Sequence, residues 1–248
     1  MAIYLKQFET QAAYEAAESG LILPNVSLTL DNNAVHYKPS SPTPSHDYVE
    51  IGGVKWATMN VGATEITDTG LYFQWGDISG YTASQVGSGE GQKYFDWADY
   101  KYCSGAGTSS SAITKYNSTD GKTVLDAEDD AVTAAWGGTW RMPTIDEYSA
   151  LDEAITTAWT TDYQGSGVSG LVLTDKTDSS KVLFFPACGR CIRAEIDNVG
   201  KFGFYWSRSV KSYSTKYAWR STFYYGGMAS QDSDDRDIGF PVRAVVNE

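Results

Sequence analysis

The chain has 248 residues, and 31 Asp plus Glu against 19 Lys plus Arg give a formal net charge of −12. That length suits one large domain, or one domain with a small appendage, able to bury about three quarters of its unfolded surface without staples. The acidic balance argues against a general nucleic-acid binder and against docking on anionic membranes, and no segment reaches the roughly 20 apolar residues of a membrane span.

The first forty-odd residues read as a small separate unit, residues 1–38, for attachment or oligomerisation. Met1 to Phe8 lacks the charged and apolar regions of a signal peptide. The expectation is export by another route, or a leader upstream of this sequence. Gln11–Ser19 is rich in helix formers, with Thr10 placed to cap it and Gly20 to stop it. Val26–Leu30 alternates as a strand does, Asp31-Asn32-Asn33 is a turn signal, and Ala34–Tyr37 returns as the second arm of a hairpin. Pro39, Pro42 and Pro44 stiffen a linker over residues 39–47.

From Tyr48 to the end, residues 48–248, the texture is short strands, long Gly/Ser loops and two helices. Tyr48–Ile51 and Val54–Met59 flank Gly52-Gly53 as an opening hairpin. Residues 76–121 read mostly as loop, anchored by Trp97 and Tyr100. Asp126 is placed to cap a helix over 127–136, whose first turn carries Glu128, Asp129 and Asp130 and which Gly137-Gly138 ends. The second helix follows Pro143 with the capping box Thr144-Ile-Asp-Glu147, and Ile145, Tyr148, Leu151 and Ile155 share one face. Leu171–Leu173 and Val182–Phe185 read as strands, and 203–246 as further short strands and loops. Strands, two central helices and more strands predict an α+β fold.

Most motifs are weak in context. Gly165-Ser-Gly167-Val-Ser-Gly170 has the letters of a dinucleotide fingerprint but precedes a strand, so it reads as a loop. Asp232-Ser-Asp234-Asp-Arg-Asp237 begins like a calcium loop, yet the sixth place is Asp237 and the twelfth is Arg243, where Gly and Glu are needed. Cys188-Gly-Arg-Cys191 lacks the four ligands of a zinc site, and Ile192–Gly200 after it reads as a loop, not the helix of a redox dithiol. Cys103, Cys188 and Cys191 are too few for a disulfide framework, and His36 and His46, the only imidazoles, lie in the N-terminal unit and the linker. No catalytic residues, metal or cofactor are expected.

The informative segment is Gly203–Ile238, which holds Phe204, Tyr205, Trp206, Tyr213, Tyr217, Trp219, Phe223, Tyr224 and Tyr225 among serines and aspartates. Rigid amphipathic rings with small polar groups make the composition of an antibody-like binding surface. Strand alternation sends some of these rings into the core instead.

Five stretches in order carry a resemblance: Ile51–Ala63, Trp136-Gly-Gly-Thr-Trp140-Arg-Met-Pro143, Phe185-Pro-Ala-Cys-Gly189, Gly203-Phe-Tyr-Trp206-Ser207 and Gly239-Phe-Pro-Val-Arg243. The series, over residues 48–246, resembles the Fibrobacter succinogenes major paralogous domain of gut Bacteroidetes. It is also similar to the variable proteins of diversity-generating retroelements, which share its C-type lectin (formylglycine-generating-enzyme-like) fold. The N-terminal unit looks like a leader module of Bacteroides phage or mobile-element surface proteins.

The resemblance implies a non-enzymatic, hypervariable receptor-binding surface near the C-terminus, diversified at AAC-type codons. It further implies a phage-tail or cell-surface adhesin whose partner is a protein or glycan on a target cell, with oligomerisation through the N-terminal unit. On that reasoning Trp56, Trp140, Trp206, Trp219, Met228, Gly239, Phe240 and Arg243 are scaffold. The variable, ligand-contacting candidates are Arg208, Val210, Ser212, Tyr213, Arg220, Thr222, Tyr224, Tyr225, Ser230, Asp232, Asp234, Asp235 and Asp237. Lys211, Lys216 and Gln231, interspersed among them, do not fit a pure AAC scheme. Asp232, Asp234 and Asp235 would favour a basic or polyhydroxylated ligand. Two other readings stand beside this one: an undiversified surface module with a fixed partner, and a thiol enzyme using Cys188 and Cys191.

Overall fold

The computed structural model describes residues 26–31, 34–39, 46–104 and 113–246, the first two stretches in backbone only. The predicted helix over Gln11–Ser19 lies outside the described residues. By internal contacts the chain divides into Met1–Ser45 and His46–Glu248. In the first unit, β1 (Val26–Asp31) pairs antiparallel with β2 (Ala34–Pro39), the hairpin that the turn signal at Asp31–Asn33 predicts.

The second unit is mixed α+β, and most of its regular structure is strand. β3 (Tyr48–Ile51) and β4 (Val54–Asn60) form the opening hairpin. Both of its turn residues, Gly52 and Gly53, have positive φ (63° and 74°). That is the geometry a two-residue turn matched to strand twist demands and glycine supplies. The last strand, β14 (Arg243–Val246), inserts between β4 and β5 (Trp140–Arg141), so one four-stranded sheet, in the order β3-β4-β14-β5, gathers distant parts of the unit. A second sheet is the meander β6 (Ile155–Thr160), β7 (Gly170–Asp175) and β8 (Val182–Pro186). The third has five strands in the order β10-β9-β11-β12-β13: β9 (Cys188–Ile192), β10 (Glu195–Val199), β11 (Phe202–Val210), β12 (Tyr217–Tyr224) and β13 (Gly227–Asp235).

The helices are α1 (Ala131–Trp136) and α2 (Ile145–Ala154) among the described residues. α2 starts as its capping box predicts: Glu147 N donates to Thr144 Oγ1 at 3.2 Å, and Thr144 N donates to Glu147 Oε2 at 2.7 Å. It ends one residue early, and Ile155 opens β6, still buried. α1 corrects the expectation for 127–136. Ala127–Asp129 is a single 3-10 turn after Asp126, and the α-helix begins at Ala131 with Asp130 as its cap. Asp130 Oδ1 accepts from Val132 N (3.0 Å) and Thr133 N (3.1 Å), and both of its carboxylate oxygens accept from Met142 N, beyond the helix. Asp126 has no such partners at the helix; its carboxylate meets Lys115 and Lys122 instead.

At the middle of the five-stranded sheet β11 is buried on both faces, and alternation along it assigns its side chains. Tyr205 joins Phe223, Phe185, Trp56, Tyr148 and Leu151 in the core beneath α2. Phe204 and Trp206 join Phe240, Trp75, Tyr100, Tyr102 and Tyr116 in the other core. Among the described residues, Arg243 and Arg236 are fully buried with no carboxylate partner. Arg243 donates to Asn60 Oδ1 and to the carbonyls of Ala57, Thr58 and Phe184 at 2.8–3.0 Å. Arg236 donates to Tyr100 OH and the carbonyls of Tyr116, Thr215 and Lys115 at 2.8–3.1 Å. Each guanidinium also lies over a ring, Phe185 at 4.3 Å and Trp75 at 4.6 Å. These anchors tie the C-terminal strand to β4 and β8, and the turn after β13 to loops far away in sequence.

Candidate ligand-binding surface

The predicted scaffold residues Trp56, Trp140, Trp206, Gly239, Phe240 and Arg243 are all buried. Gly239 meets a steric demand: a Cβ there would lie 2.4 Å from the Phe95 ring and 2.9 Å from Cys191 Cβ. Met228 packs against the core beneath α2. Trp219 is only half-buried. Lys211 Nζ sits 4.9 Å from its ring centroid, and the Tyr213 ring meets it edge-on at 6.4 Å.

The thirteen candidate contact residues do not share one environment. Tyr213 (75 % exposed), Tyr225 (83 % exposed) and Ser212 face solvent. Tyr213 lies in the connection before β12 and Tyr225 in the turn after it, so the length of β12, roughly 23 Å at the usual rise per residue, separates them. Tyr224, whose ring stacks on Phe202, and Ser230 are half-buried. Val210, Arg220, Thr222 and Asp237 are buried. Val210 belongs to the core, and Arg208 reaches inward to the Leu125 carbonyl (2.6 Å) and toward Asp130 (3.8 Å).

The acidic candidates are largely paired within the protein, against the expectation that all three would be offered to a basic ligand. Arg220 Nη2 lies 2.9 Å from Asp232, and its Nε donates to Asp234 at 3.2 Å. Asp234 is also 3.4 Å from Arg190 Nη1, and Asp235 is 3.0 Å from Lys216. Arg190 in turn donates to Asp197 at 3.0 Å. Side chains from every strand of the sheet thus form a row: Asp197, Arg190, Phe204, Arg220, then Asp232 and Asp234. Arg220 lies 4.7 Å from the Phe204 centroid and Arg190 lies 5.6 Å from it. The physical reason is register, because β12 sets Arg220 directly opposite Asp232.

Beside this row a groove of about 620 Å³ opens between the end of β13 and two segments from elsewhere in the chain. Phe95, Asp96, Trp97 and Ala98 form one wall, Arg190, Ile192 and Arg193 another, and Asp234, Asp235, Asp237 and Ile238 the third. Sequence reasoning missed the first two walls; the one signal for them was Trp97 as a loop anchor. Phe95 N and Arg193 N each donate to the other residue's carbonyl at 2.9 Å, which joins the walls. The Cys188–Val199 segment corrects a further expectation, being the hairpin β9–β10 and not a strand end followed by a loop. Its turn carries Arg193 at φ 57°, with no glycine to announce it.

Cys188 and Cys191 are free thiols, and both are buried. Burial pushes both thiols above their ordinary range, so the thiolate needed for nucleophilic or redox work is disfavoured. Asp126, Glu128 and Asp129 converge closely enough to hold a cation. Lys115 Nζ occupies that point, at 3.0, 3.0 and 2.5 Å from them. Asp129, held also by Lys101 at 2.8 Å, stays ionised well below the usual carboxylate range despite its burial.

Comparison with protein-family models, with curated proteins and with solved structures finds no match. No helix of the described residues is long and apolar enough to cross a membrane.

Proposed function

We propose that the chain is a non-enzymatic ligand-binding protein with a C-type-lectin-like domain that presents the β11–β13 region, and the loops around it, to a protein partner on a cell surface. The observation that carries this reading is the division of labour within one aromatic-rich segment. Trp206, Phe223 and Phe240 are buried as a rigid frame, while Tyr213 and Tyr225 stand almost fully in solvent. Exposed tyrosines on a stiff support are an arrangement suited to binding, because little rotamer entropy is lost on contact. The raised, buried thiols of Cys188 and Cys191 speak against the thiol-enzyme alternative.

Retroelement diversification is part of the proposal for the exposed and half-buried candidates, and the virion or cell surface is the location it implies. The alternative, a module with a fixed partner, draws support from a specific observation: Arg220, Thr222 and Asp237 are buried, and Arg220 is locked into the ionic row. Such positions do not tolerate free substitution. Deep sequencing of the gene segment encoding Gly203–Glu248 in its source population tests this. Adenine-directed substitutions at Ser212, Tyr213, Tyr224 and Tyr225, with Trp206 and Gly239–Arg243 constant, are the expected result. An invariant segment overturns diversification and leaves the fixed partner.

A further inference from the structure

The groove beside the ionic row contains one feature that internal structure does not explain. Asp237 is 8 % exposed, and its Oδ1 accepts no hydrogen bond among the described residues. Buried carboxylates are ordinarily paired or hydrogen-bonded, because an unmet one is costly. Its place is built and not incidental. Gln74, itself buried, donates from Nε2 both to the Asp237 carbonyl (2.9 Å) and to the Asp96 carbonyl (3.2 Å). One side chain thereby clamps the two segments together and brings two acidic residues to the same groove. Arg236, next in the chain, is the buried anchor that fixes this turn.

The other charges sort themselves by their partners. Asp234 is engaged by Arg190 and Arg220, and Asp235 by Lys216. The Asp96 carboxylate accepts one backbone bond, from Asp99 N at 3.0 Å, and forms no ion pair among the described residues. Asp96 and Asp237 are therefore the carboxylates left for something else. The surrounding wall of Phe95, Trp97, Ala98 and Ile238 is apolar. An apolar wall ending in carboxylates fits a cation on an aliphatic stem better than a metal ion: the stem packs on the rings and the charge meets the acids. Arg190 and Arg193 are the like charges lining the groove; Arg190 is engaged by Asp197 and Asp234, whereas Arg193 is exposed at the mouth and in no ion pair among the described residues.

We propose that this groove is a subsite for an alkylammonium or alkylguanidinium group, contributed by a lysine or arginine side chain of the protein ligand, with Asp237 and Asp96 as its counter-charges. The proposal rests on reading this region as the binding surface and names the chemistry that part of it recognises. Burial, and then the neighbouring Asp235, push the Asp237 carboxyl up to about 7, while Lys216 opposes and Asp96 adds to the rise. Asp234, Arg190 and Arg193 complete the charges lining the groove. An arriving cation favours the ionised carboxylate, so binding strengthens as pH rises from 6 to 8 and releases a proton near the lower end.

The test is a titration of the full chain, followed by amide and indole NMR shifts, with capped lysine, capped arginine, capped norleucine and cadaverine as probes. The expected result is saturable shifts confined to residues 95–98 and 234–238 for the charged probes, and none for norleucine. Asp237→Asn, nearly isosteric, should weaken binding by about tenfold or more, whereas Arg193→Gln should strengthen it a few-fold. A capped lysine that binds more tightly than cadaverine identifies a side chain as the source; the reverse order overturns the protein-ligand half and keeps the cation. Equal binding of norleucine, equal binding by Asp237→Asn, or shifts that do not saturate overturn the subsite. Failure here is distinct from failure of the functional reading: a variable gene segment with no probe binding removes only the groove, and probe binding with an invariant segment removes only diversification.

Discussion

Replacing Arg243 by methionine keeps much of the side-chain volume and removes a guanidinium that is fully buried. Four bonds at 2.8–3.0 Å go with it, three of them to the carbonyls of Ala57, Thr58 and Phe184 and one to Asn60. Each acceptor that loses its donor away from water costs about 1–3 kcal/mol, so the three carbonyls alone imply roughly 3–9 kcal/mol. Relief of the buried charge opposes this, since isolating a cation from water is itself costly. The relief is partial here, because four acceptors and the Phe185 ring already solvate that cation. The expected net loss is about 3–5 kcal/mol. Arg243→Lys should fall between, near about 2 kcal/mol, because a point charge cannot serve three carbonyls with fork geometry. Urea unfolding followed by tryptophan fluorescence measures both. A methionine variant within about 1 kcal/mol of wild type, or a lysine variant matching it, would refute the reasoning.

Asp237 makes stability depend on pH. Its carboxyl titrates near 7 in the fold against an ordinary value near 4, so the native state holds an extra proton between those values and stability falls as pH rises through them. Asp237→Asn should equal wild type at pH 4 and exceed it at pH 8, by on the order of 3 kcal/mol in the same urea assay; equal stabilities at pH 8 count against it. Asp130→Ala should cost about 2–4 kcal/mol, since it removes both the α1 cap and the acceptor for Met142 N, whereas Asp126→Ala should cost less than about 1 kcal/mol; thermal melts rank them. Cys188 and Cys191 should resist a thiol reagent in the native protein at pH 8 and react in urea, and rapid native labelling of either would contradict their burial. Tyr213→Ala and Tyr225→Ala should leave stability within about 0.5 kcal/mol of wild type, so that any loss of ligand capture is a loss of contact.

Features set by a few adjacent residues were legible in the chain. Gly52-Gly53 dictates a tight hairpin because both positions need positive φ, and Thr144 with Glu147 starts α2 because the capping box closes within four residues. The aromatic-rich C-terminal segment was likewise visible, with its division into buried and exposed rings foreshadowed by alternation. What failed were choices between local equals. Asp126 and Asp130 are both good caps, and Asp130 prevails because Met142 N, twelve residues on, also needs its carboxylate. The β9–β10 turn runs through Arg193 at positive φ, a conformation that its backbone bonds to Phe95 hold in place and that no turn residue advertises.

The candidate site divides along the same line. Composition alone drew attention to the acids and rings of 203–238, because residue type is a property of the chain. Which carboxylates are free is not. Asp232 and Asp234 are neutralised by Arg220 only once β12 and β13 are in register, and Arg190 arrives from a different hairpin. Asp237 becomes unpaired and buried only when Gln74, 163 positions away in sequence, clamps its segment against Asp96. Ion pairing and desolvation act over a few ångströms of space whatever the separation along the chain, so the tertiary structure alone decided where charge is left over.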